Sequence, residues 1–415
     1  MQRLQAFKYE LRPNGAQRRH MGRFAGSRRF VYNKALALQK AHHEAGGTFI
    51  GYVAMAKLLT EWRHSGQTPW LKAAPAHPLQ HALKDLERAY RNFFAGRGKF
   101  PRFKRKGRSE SFRFPDAKQF QIDQVNSRIK LPKLGWVRYR NSREMRGVPR
   151  NVTLSASGGK WNASVQTVRE VEQPIPSGTG AVGIDVGIAR FATLSDGSFV
   201  EPLNSFKRHE AQLRRAQRAL SRKIPFSQNW RKAKGRVQRI HTRIGNCRRD
   251  FLHKATTPIS KNHAMVCIED LQVRNMSRSA KGNAEQAGKH VRAKSGLNKS
   301  ILDQGWSEFR RQLQYKMNWN GAMLVAVPPH NTSRTCPKCD RVAAENRPTQ
   351  ALFKCVGCGY ENHADVVGAM NVLARGYRVV ACGEEGSGRG RKTRTKPASV
   401  KQEPTEVTMG EVAHA

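Results

Sequence analysis

Cys336, Cys339, Cys355 and Cys358 are written as CPKC and CVGC with fifteen residues between the pairs. Two such knuckles at that interval have the spacing of a four-thiolate zinc ribbon, in which sulfur donors complete a tetrahedron. A lone CxxC is as readily a redox pair, but the second knuckle, with Gly357 and Gly359, favours the metal. His363 is a competing donor. Four cysteines already fill the shell, so the zinc is expected to be structural. Seven residues beyond Cys358 stands Asp365, at the head of a helix-like run, DVVGAMNVL. A structural metal beside an acidic helix start points to an active site interrupted by the ribbon.

Two further carboxylates sit among apolar residues, Asp185 in GIDVG and Glu269 at the end of VCIED. Burying an unpaired carboxylate is costly, so such groups are ion-paired or metal-bound. Singly, each reads as a salt-bridge partner for the many Arg and Lys. Together they run Asp on a first strand, Glu on a later strand, Asp on a following helix, the layout of an RNase H-like two-metal nuclease. Phosphodiester hydrolysis needs an activated water and a stabilised leaving oxygen, and two Mg2+ ions about 3.5–4 Å apart supply both. Magnesium takes carboxylate oxygens and zinc takes thiolates, which separates two metals with distinct jobs. Asp185, Glu269 and Asp365 are therefore the candidate catalytic residues and magnesium ligands. Strand alternation puts Val266 and Ile268 on one face and Cys267 and Glu269 on the other, leaving open whether Glu269 or Asp270 faces the metals.

The composition names the partner class. In 415 residues there are 76 Lys and Arg against 30 Asp and Glu, a net charge of +46. That excess calls for a polyanion, and a solvated mixed surface would balance its signs better. No apolar run reaches the roughly 20 residues of a membrane helix, and MQRLQAFKYELRP has no signal-peptide stretch. Seven cysteines, four of them in the ribbon, suit a reducing interior. The expectation is a soluble, cytoplasmic, nucleoid-associated protein with no membrane partner and no small-molecule cofactor.

The elements that must position these groups are legible in outline. Met21, Phe24, Val31, Ala35 and Leu38 recur at helical intervals, as do Leu79, Leu83, Leu86, Tyr90 and Phe93. Both stripes are expected to be core, with Arg18, Arg19, Arg28 and Arg29 left for phosphate contact. SFRF, FQIDQV, RIKLP, WVRYR, NVTLSA and WNASVQTV predict an antiparallel sheet or small barrel over 111–170. Before it, the run Lys99 to Arg108 carries Phe100 and Phe103, which reads equally as a nucleic-acid contact or a charged strand edge. EQPIPSGTG is a linker, and AVGIDVGIARFATLSDGSFV predicts two strands joined at Asp196-Gly197. A basic helical pair follows, broken near Ile224-Pro225, and its seam of Trp230, Val237, Ile240, Ile244, Cys247 and Phe251 makes Cys247 a core residue. AMVCIEDL predicts a buried strand. Residues 277–299 predict a mobile loop, a candidate lid, before a helix over 301–320 and a strand over 322–327. The tail from Gly383 predicts disorder.

GIDVGIARFATLSDG, IEDLQVRNM, NTSRTCPKC, FKCVGCGYENHADVVGAMNVL and RPNGAQRRHMGRFAGSRRFVYNKAL together resemble the TnpB (OrfB) proteins of bacterial and archaeal insertion sequences. The resemblance spans about residues 1 to 380. It implies an α/β multidomain fold, with an RNase H-like (RuvC-like) nuclease domain over 181–330 and 362–380 and a zinc ribbon inserted at 331–361. It also implies a β-barrel wedge module at 1–14 and 96–172, carrying a helical recognition insertion over 15–95. A linker at 173–180 and a disordered basic tail at 381–415 complete the division. The implied activity is RNA-guided endonucleolytic cleavage of DNA, with a guide RNA from the transposon end, double-stranded target DNA, structural Zn2+ and catalytic Mg2+. Mapped onto this chain, the family motifs make Asp185, Glu269 and Asp365 catalytic and Cys336, Cys339, Cys355 and Cys358 zinc ligands.

The chain departs from the family's H-x-R-D-x-N pattern at NHADVVGAMN, with Ala364 for Arg and Val367 for the first Asn. The competing functions are an RNA-guided DNA-binding protein without cleavage, repressor-like, and a conventional strand-joining transposase. No separate end-binding helix-turn-helix module is legible, which disfavours the transposase.

Overall fold

A computed structural model describes residues 1–382 except 109, 284 and 285; the tail expected to be disordered lies outside the described residues. The chain begins with strand β1 (Gln2–Arg12) and a 30-residue helix, α1 (Gly15–Glu44). The helix starts where it does because Asn14 and Gln17 form a reciprocal capping box behind Pro13. Helices α2 (Tyr52–His64) and α3 (Ala76–Phe94) follow. Met21, Phe24, Val31 and Ala35 of α1 and Leu79, Leu83, Leu86 and Tyr90 of α3 are buried as their spacing predicts. Leu38 is half-buried, and Phe93, expected in the stripe, is exposed. Arg28 pairs with Asp85 across the α1–α3 contact, and Arg29 lies 3.2 Å from Glu110. These two arginines stitch the module together, which corrects their assignment to phosphate.

All the strands expected over 111–170 form: β2 (Ser111–Phe114), β3 (Gln121–Asp123), β4 (Arg128–Leu131), β5 (Gly135–Tyr139), β6 (Val148–Ser157) and β7 (Lys160–Glu170). With β1 they make an antiparallel sheet in the order β2-β6-β7-β1-β5-β4-β3. Strand β1 pairs with β7 from Gln2 to Glu10 and with β5 at Leu11 and Arg12, so it joins the two halves. Among the described residues β2 and β3 are not paired, so backbone hydrogen bonds leave the expected barrel open there. The run Lys99 to Arg108 is irregular backbone, which removes the strand-edge reading.

The second sheet contains the candidate site. It is built from β8 (Ala181–Asp185), β9 (Ala192–Leu194), β10 (Phe199–Val200), β11 (Met265–Glu269) and β12 (Met323–Val327), ordered β10-β9-β8-β11-β12. Strands β8, β11 and β12 are parallel, whereas β9 and β10 are antiparallel. Three strands thus replace the two expected, and the Asp196-Gly197 turn joins the second to the third. Parallel neighbours require crossovers. One uses α4 (Ser205–Ser221) and α5 (Gln228–Asn262); the other uses α6 (Val273–Met276), α7 (Val291–Gln304) and α8 (Trp306–Trp319).

Three expectations are corrected here. Ile240 and Ile244 bury the α4–α5 seam, but Cys247 is exposed, because the seam drifts around a straight helix over two turns. The expected single helix over 301–320 breaks at Gly305, whose φ of 78° lies in the left-handed region. The expected loop of 277–299 is helical from Val291, and Lys294 and Asn298 donate to the carbonyls of Met276 and Arg278.

Beyond β12 come the ribbon strands β13 (Leu352–Lys354) and β14 (Glu361–His363) and the last helix, α9 (Ala364–Ala381). Val182, Ile184, Val266 and Ile268 pack toward α5 and α8, while Met265, Cys267, Val325 and Val327 pack on Val372 of α9. The approach of α9 depends on missing side chains. A Cβ on Gly183 would lie 2.0 Å from the Ala369 carbonyl oxygen, and one on Gly376 would lie 2.0 Å from Cys267 Sγ. Among the described residues no helix is long and apolar enough to cross a membrane.

Gly376→Ala is expected to cost about 1–3 kcal/mol by overpacking despite alanine's better helix propensity. Chemical denaturation should show part of that loss recovered when Cys267→Ala is added, because the obstructing sulfur is then gone.

Candidate active site

Ile184 of β8 is in register with Ile268 of β11, so Asp185 and Glu269 follow side by side at the carboxyl edge of two parallel strands. Both lie on the face that α9 covers, since residues two apart on a strand share a face with Gly183 and Cys267. Parallel sheets bind ligands at that edge. Helix α9 starts above it with Asp365 in its first turn. One turn further, Gly368 brings the helix down, and a Cβ there would lie 2.9 Å from Asp185 Oδ2. The fold therefore brings all three carboxylates together.

Their charges interact. Burial, then the charges of Glu269 and Asp365, push Asp185 up to about 7, against a smaller opposing effect of Arg347. Burial also raises Glu269, opposed by a hydrogen bond from Thr332 and the charge of Arg375. Thr332 Oγ1 donates to Glu269 Oε1 at 2.6 Å. Asn371 Nδ2 in turn donates to the carbonyls of Thr332 at 2.8 Å and Thr335 at 2.7 Å. Arg375 donates to the carbonyls of Pro328 and His330. Helix α9 thus fastens the segment that orients Glu269. The neighbouring Asp270 is half-buried and pairs with Arg310, whereas Glu269 is buried beside Asp185.

Sequence reasoning missed Arg347. It lies in the ribbon segment, 3.4 Å from Asp365, and donates to the Gln350 carbonyl at 2.7 Å. Nothing in its local sequence distinguishes it among 76 Lys and Arg. Thr332 was equally invisible, because its role depends on a strand 63 residues away.

The four ribbon cysteines converge. All four sulfurs lie within 4.8 Å of one another, with Cys336–Cys358 at 3.6 Å and Cys339–Cys355 at 3.5 Å. Tetrahedral zinc with bonds of about 2.3 Å would need sulfurs about 3.8 Å apart, so the cluster can bind zinc. The two knuckles repeat one geometry. The amide after each second cysteine, Asp340 and Gly359, donates back to the first, and both residues have positive φ. The Cys358 and Gly357 amides approach Cys355 Sγ, and that pull holds its thiol down at about 6. His363 is the N-cap of α9, its Nδ1 accepting from the Asp365 amide at 3.2 Å, so it serves the helix and lies outside the sulfur cluster.

A family model described as a probable transposase of the OrfB type matches residues 164–280, and one described as a Cas12f1-like TNB domain matches residues 306–372. A third, described as a helix-turn-helix domain, matches residues 1–48. That match goes against the expectation of no such module, although residues 1–48 here form β1 and the single helix α1. The chain belongs to the OrfB (TnpB) family of insertion-sequence proteins. It is 55% identical over 408 residues to a putative RNA-guided DNA endonuclease, InsQ, of Escherichia coli K12, covering 98% of this chain and 99% of the relative. It is 34% identical over 410 residues to a putative RNA-guided DNA endonuclease of Streptomyces pristinaespiralis, covering 98% and 97%. A solved complex of Cas12f1 with single-guide RNA and target DNA aligns over 85% of this chain and 81% of that one, at 14% identity and a TM-score of 0.49.

Two measurements check the site. Cys355→Ser should lose a single bound zinc by elemental analysis and lower the melting temperature, since a structural site contributes folding energy. In magnesium-free buffer the raised Asp185 should make stability depend on pH. Its folded value of about 7 exceeds the unfolded value near 3.9, so its contribution is complete below about 4 and is lost as pH rises through 7. Melting temperatures from pH 5 to 8 should fall for the parent and fall less for Asp185→Asn.

Proposed function

We propose that the chain is a transposon-encoded, RNA-guided DNA endonuclease that hydrolyses phosphodiesters at one RuvC-like site. The observation that carries this reading is the convergence of Asp185, Glu269 and Asp365 at one sheet edge, where burial first, and then the charges of the other two, push Asp185 up to about 7. The strand order β10-β9-β8-β11-β12, with three parallel strands and an antiparallel pair at one edge, supports the RNase H-like assignment. The relatives' names supply an RNA guide and a DNA target, and the +46 charge suits a protein that grips two polyanions.

The three carboxylates fit divalent cations, since a cation between them would offset both the burial and the mutual repulsion that raise Asp185. Two Mg2+ would supply an activated water and charge stabilisation on the leaving oxygen. Within the chain, Glu269 is held in orientation by Thr332 and Asn371, and Asp365 by the His363 cap and Arg347. Asp365 would help hold the cations, and Arg347, 3.4 Å from it, would then be placed to face the phosphate and stabilise the charge that develops there. The ribbon, with zinc on Cys336, Cys339, Cys355 and Cys358, carries Arg347 to the site and does no chemistry itself. The N-terminal sheet and helices serve as wedge and recognition modules, within the residue bounds that the family resemblance implies. Cleavage of donor sites left after excision would retain the transposon, and the protein would act on the nucleoid in the cytoplasm.

The full chain, purified with its co-expressed RNA, is expected to cut a matching duplex in Mg2+ only when guide and target pair. Asp185→Asn should lower the rate at least about a thousandfold with guided binding intact. Arg347→Ala should lower it about 10- to 1,000-fold, and Asp270→Ala hardly at all. Guided binding by the parent without cleavage would establish the repressor-like reading instead, and RNA-independent strand joining would establish the transposase.

A further inference from the structure

Two cavities far from the carboxylates in sequence open side by side at the ends of α1 and α3. One is a groove of about 1,060 Å3 whose lining includes seven cations and no acid, among them Lys99, Arg102, Lys104, Arg105 and Arg108. The other, of about 560 Å3, is walled by Phe49, Tyr90, Phe93, Phe94 and Phe100. The two share Lys40 and Phe100, so they are continuous. Phe94 is 65% exposed and Phe103 50%, and Phe49, Phe93 and Phe100 are exposed as well. Phenylalanines that merely completed a core would not stand in solvent this way.

Their arrangement matters. Phe93–Phe100, Tyr90–Phe100 and Phe49–Phe94 meet edge to face, at interplanar angles of 85°, 86° and 88°, and Phe49, Phe93, Phe94 and Phe100 all keep exposed ring surface for a flat ligand. Lys40 Nζ sits 5.5 Å from the Phe100 ring and 5.3 Å from the Phe103 ring, at the junction of groove and cavity. Arg28 is committed to Asp85, but the exposed Lys99, Arg102, Arg105 and Arg108 have no acidic partner among the described residues. Burial, with Arg28 alongside, holds Lys104 down at about 8, so an anion in the groove would relieve a crowded cation. Cations along a groove with aromatic faces at its end are the parts that bind a backbone and stack its unpaired bases.

Glu44 narrows the ligand. It lines the aromatic cavity and has no ion-pair partner among the described residues, despite the excess of Lys and Arg. As the last residue of α1 it also opposes the helix dipole, so local stability does not explain it. A carboxylate beside stacked bases accepts from an exocyclic amino group, as it does from cytosine N4.

We propose that this groove and cavity bind a single-stranded segment of the resident guide RNA, its phosphates along Lys99 to Arg108 and an unpaired amino-bearing base, such as cytosine, stacked on Phe49, Phe94 and Phe100 with its amino group on Glu44. The choice of RNA rests on the guided-nuclease reading, in which RNA is the permanent partner able to keep these rings covered. A duplex fits less well, because its base faces are already stacked.

The test uses the full chain freed of nucleic acid, titrated by fluorescence anisotropy at about 0.15 M salt. The probes are short labelled oligonucleotides of cytidine or uridine, their deoxy counterparts and an RNA duplex. Cytidine RNA should bind best. Phe49→Ala with Phe94→Ala should weaken it about tenfold or more, and Phe94→Leu, which keeps an apolar side chain on an exposed position, should weaken it several-fold at an unchanged melting temperature. Arg102→Ala with Arg105→Ala should flatten the salt dependence. Glu44→Gln should bring cytidine and uridine RNA to similar affinity. Unchanged binding in both phenylalanine variants, or equal binding of the duplex, would overturn the site. Equal binding of the deoxy strand would overturn the assignment to RNA, and a cytidine preference that survives Glu44→Gln would overturn the amino contact. These outcomes are independent of cleavage, so a failure of the nuclease reading is seen separately as guided RNA and target without cuts.

Discussion

The close approach of α9 to β8 and β11 is the constraint on which the site depends. Only because Gly183, Gly368 and Gly376 lack side chains can the helix lie against the sheet at the edge where Asp185 and Glu269 end. Asp365, Asn371 and Arg375 all ride on that helix. A single packing contact therefore sets the third carboxylate, the clamp on the Thr332 segment and the cation behind Glu269. Had any of the three glycines carried a Cβ, the helix would stand off and all of these contacts would loosen together.

The ribbon enters the chain between β12 and α9, and its position has a physical consequence. Its four sulfurs form a compact cluster, and the amides of Gly357 and Cys358 in the second knuckle approach Cys355 Sγ. A rigid ribbon can present Arg347 to Asp365 while its own donor set remains closed. Hard oxygen donors on the sheet edge and soft sulfur donors in the ribbon would select different kinds of cation, although the two donor sets are neighbours in space.

The large positive charge is not one undifferentiated surface. Arg28 and Arg29 are consumed inside the N-terminal module, and Arg248 pairs with the buried Asp303, which also accepts from the first amides of α4. With these internal pairs set aside, the groove beside Phe100 and Phe103 is a place where cations cluster without acids and meet exposed aromatic side chains. The distinction between structural and available arginines comes from partners distant in the chain, so composition alone blurs it.

The chain's local patterns determined the elements and the chemistry of the donor groups. Helical stripes and strand alternation are short-range properties, and they placed α1, α3, the strands of 111–170 and β11 with Glu269 facing away from Ile268. The cysteine spacing was legible for the same reason, because ligand type and interval are written locally. Cys247, the break at Gly305 and the helix from Val291 escaped, since each depends on how a helix drifts, turns or docks against elements elsewhere. Arg347 and Thr332 were silent for a stronger version of that reason: their meaning is a contact with a group 18 or 63 residues away. Tertiary structure alone decided that Glu269 and not Asp270 meets Asp185, because strand register and helix packing, both long-range, choose which neighbour points inward.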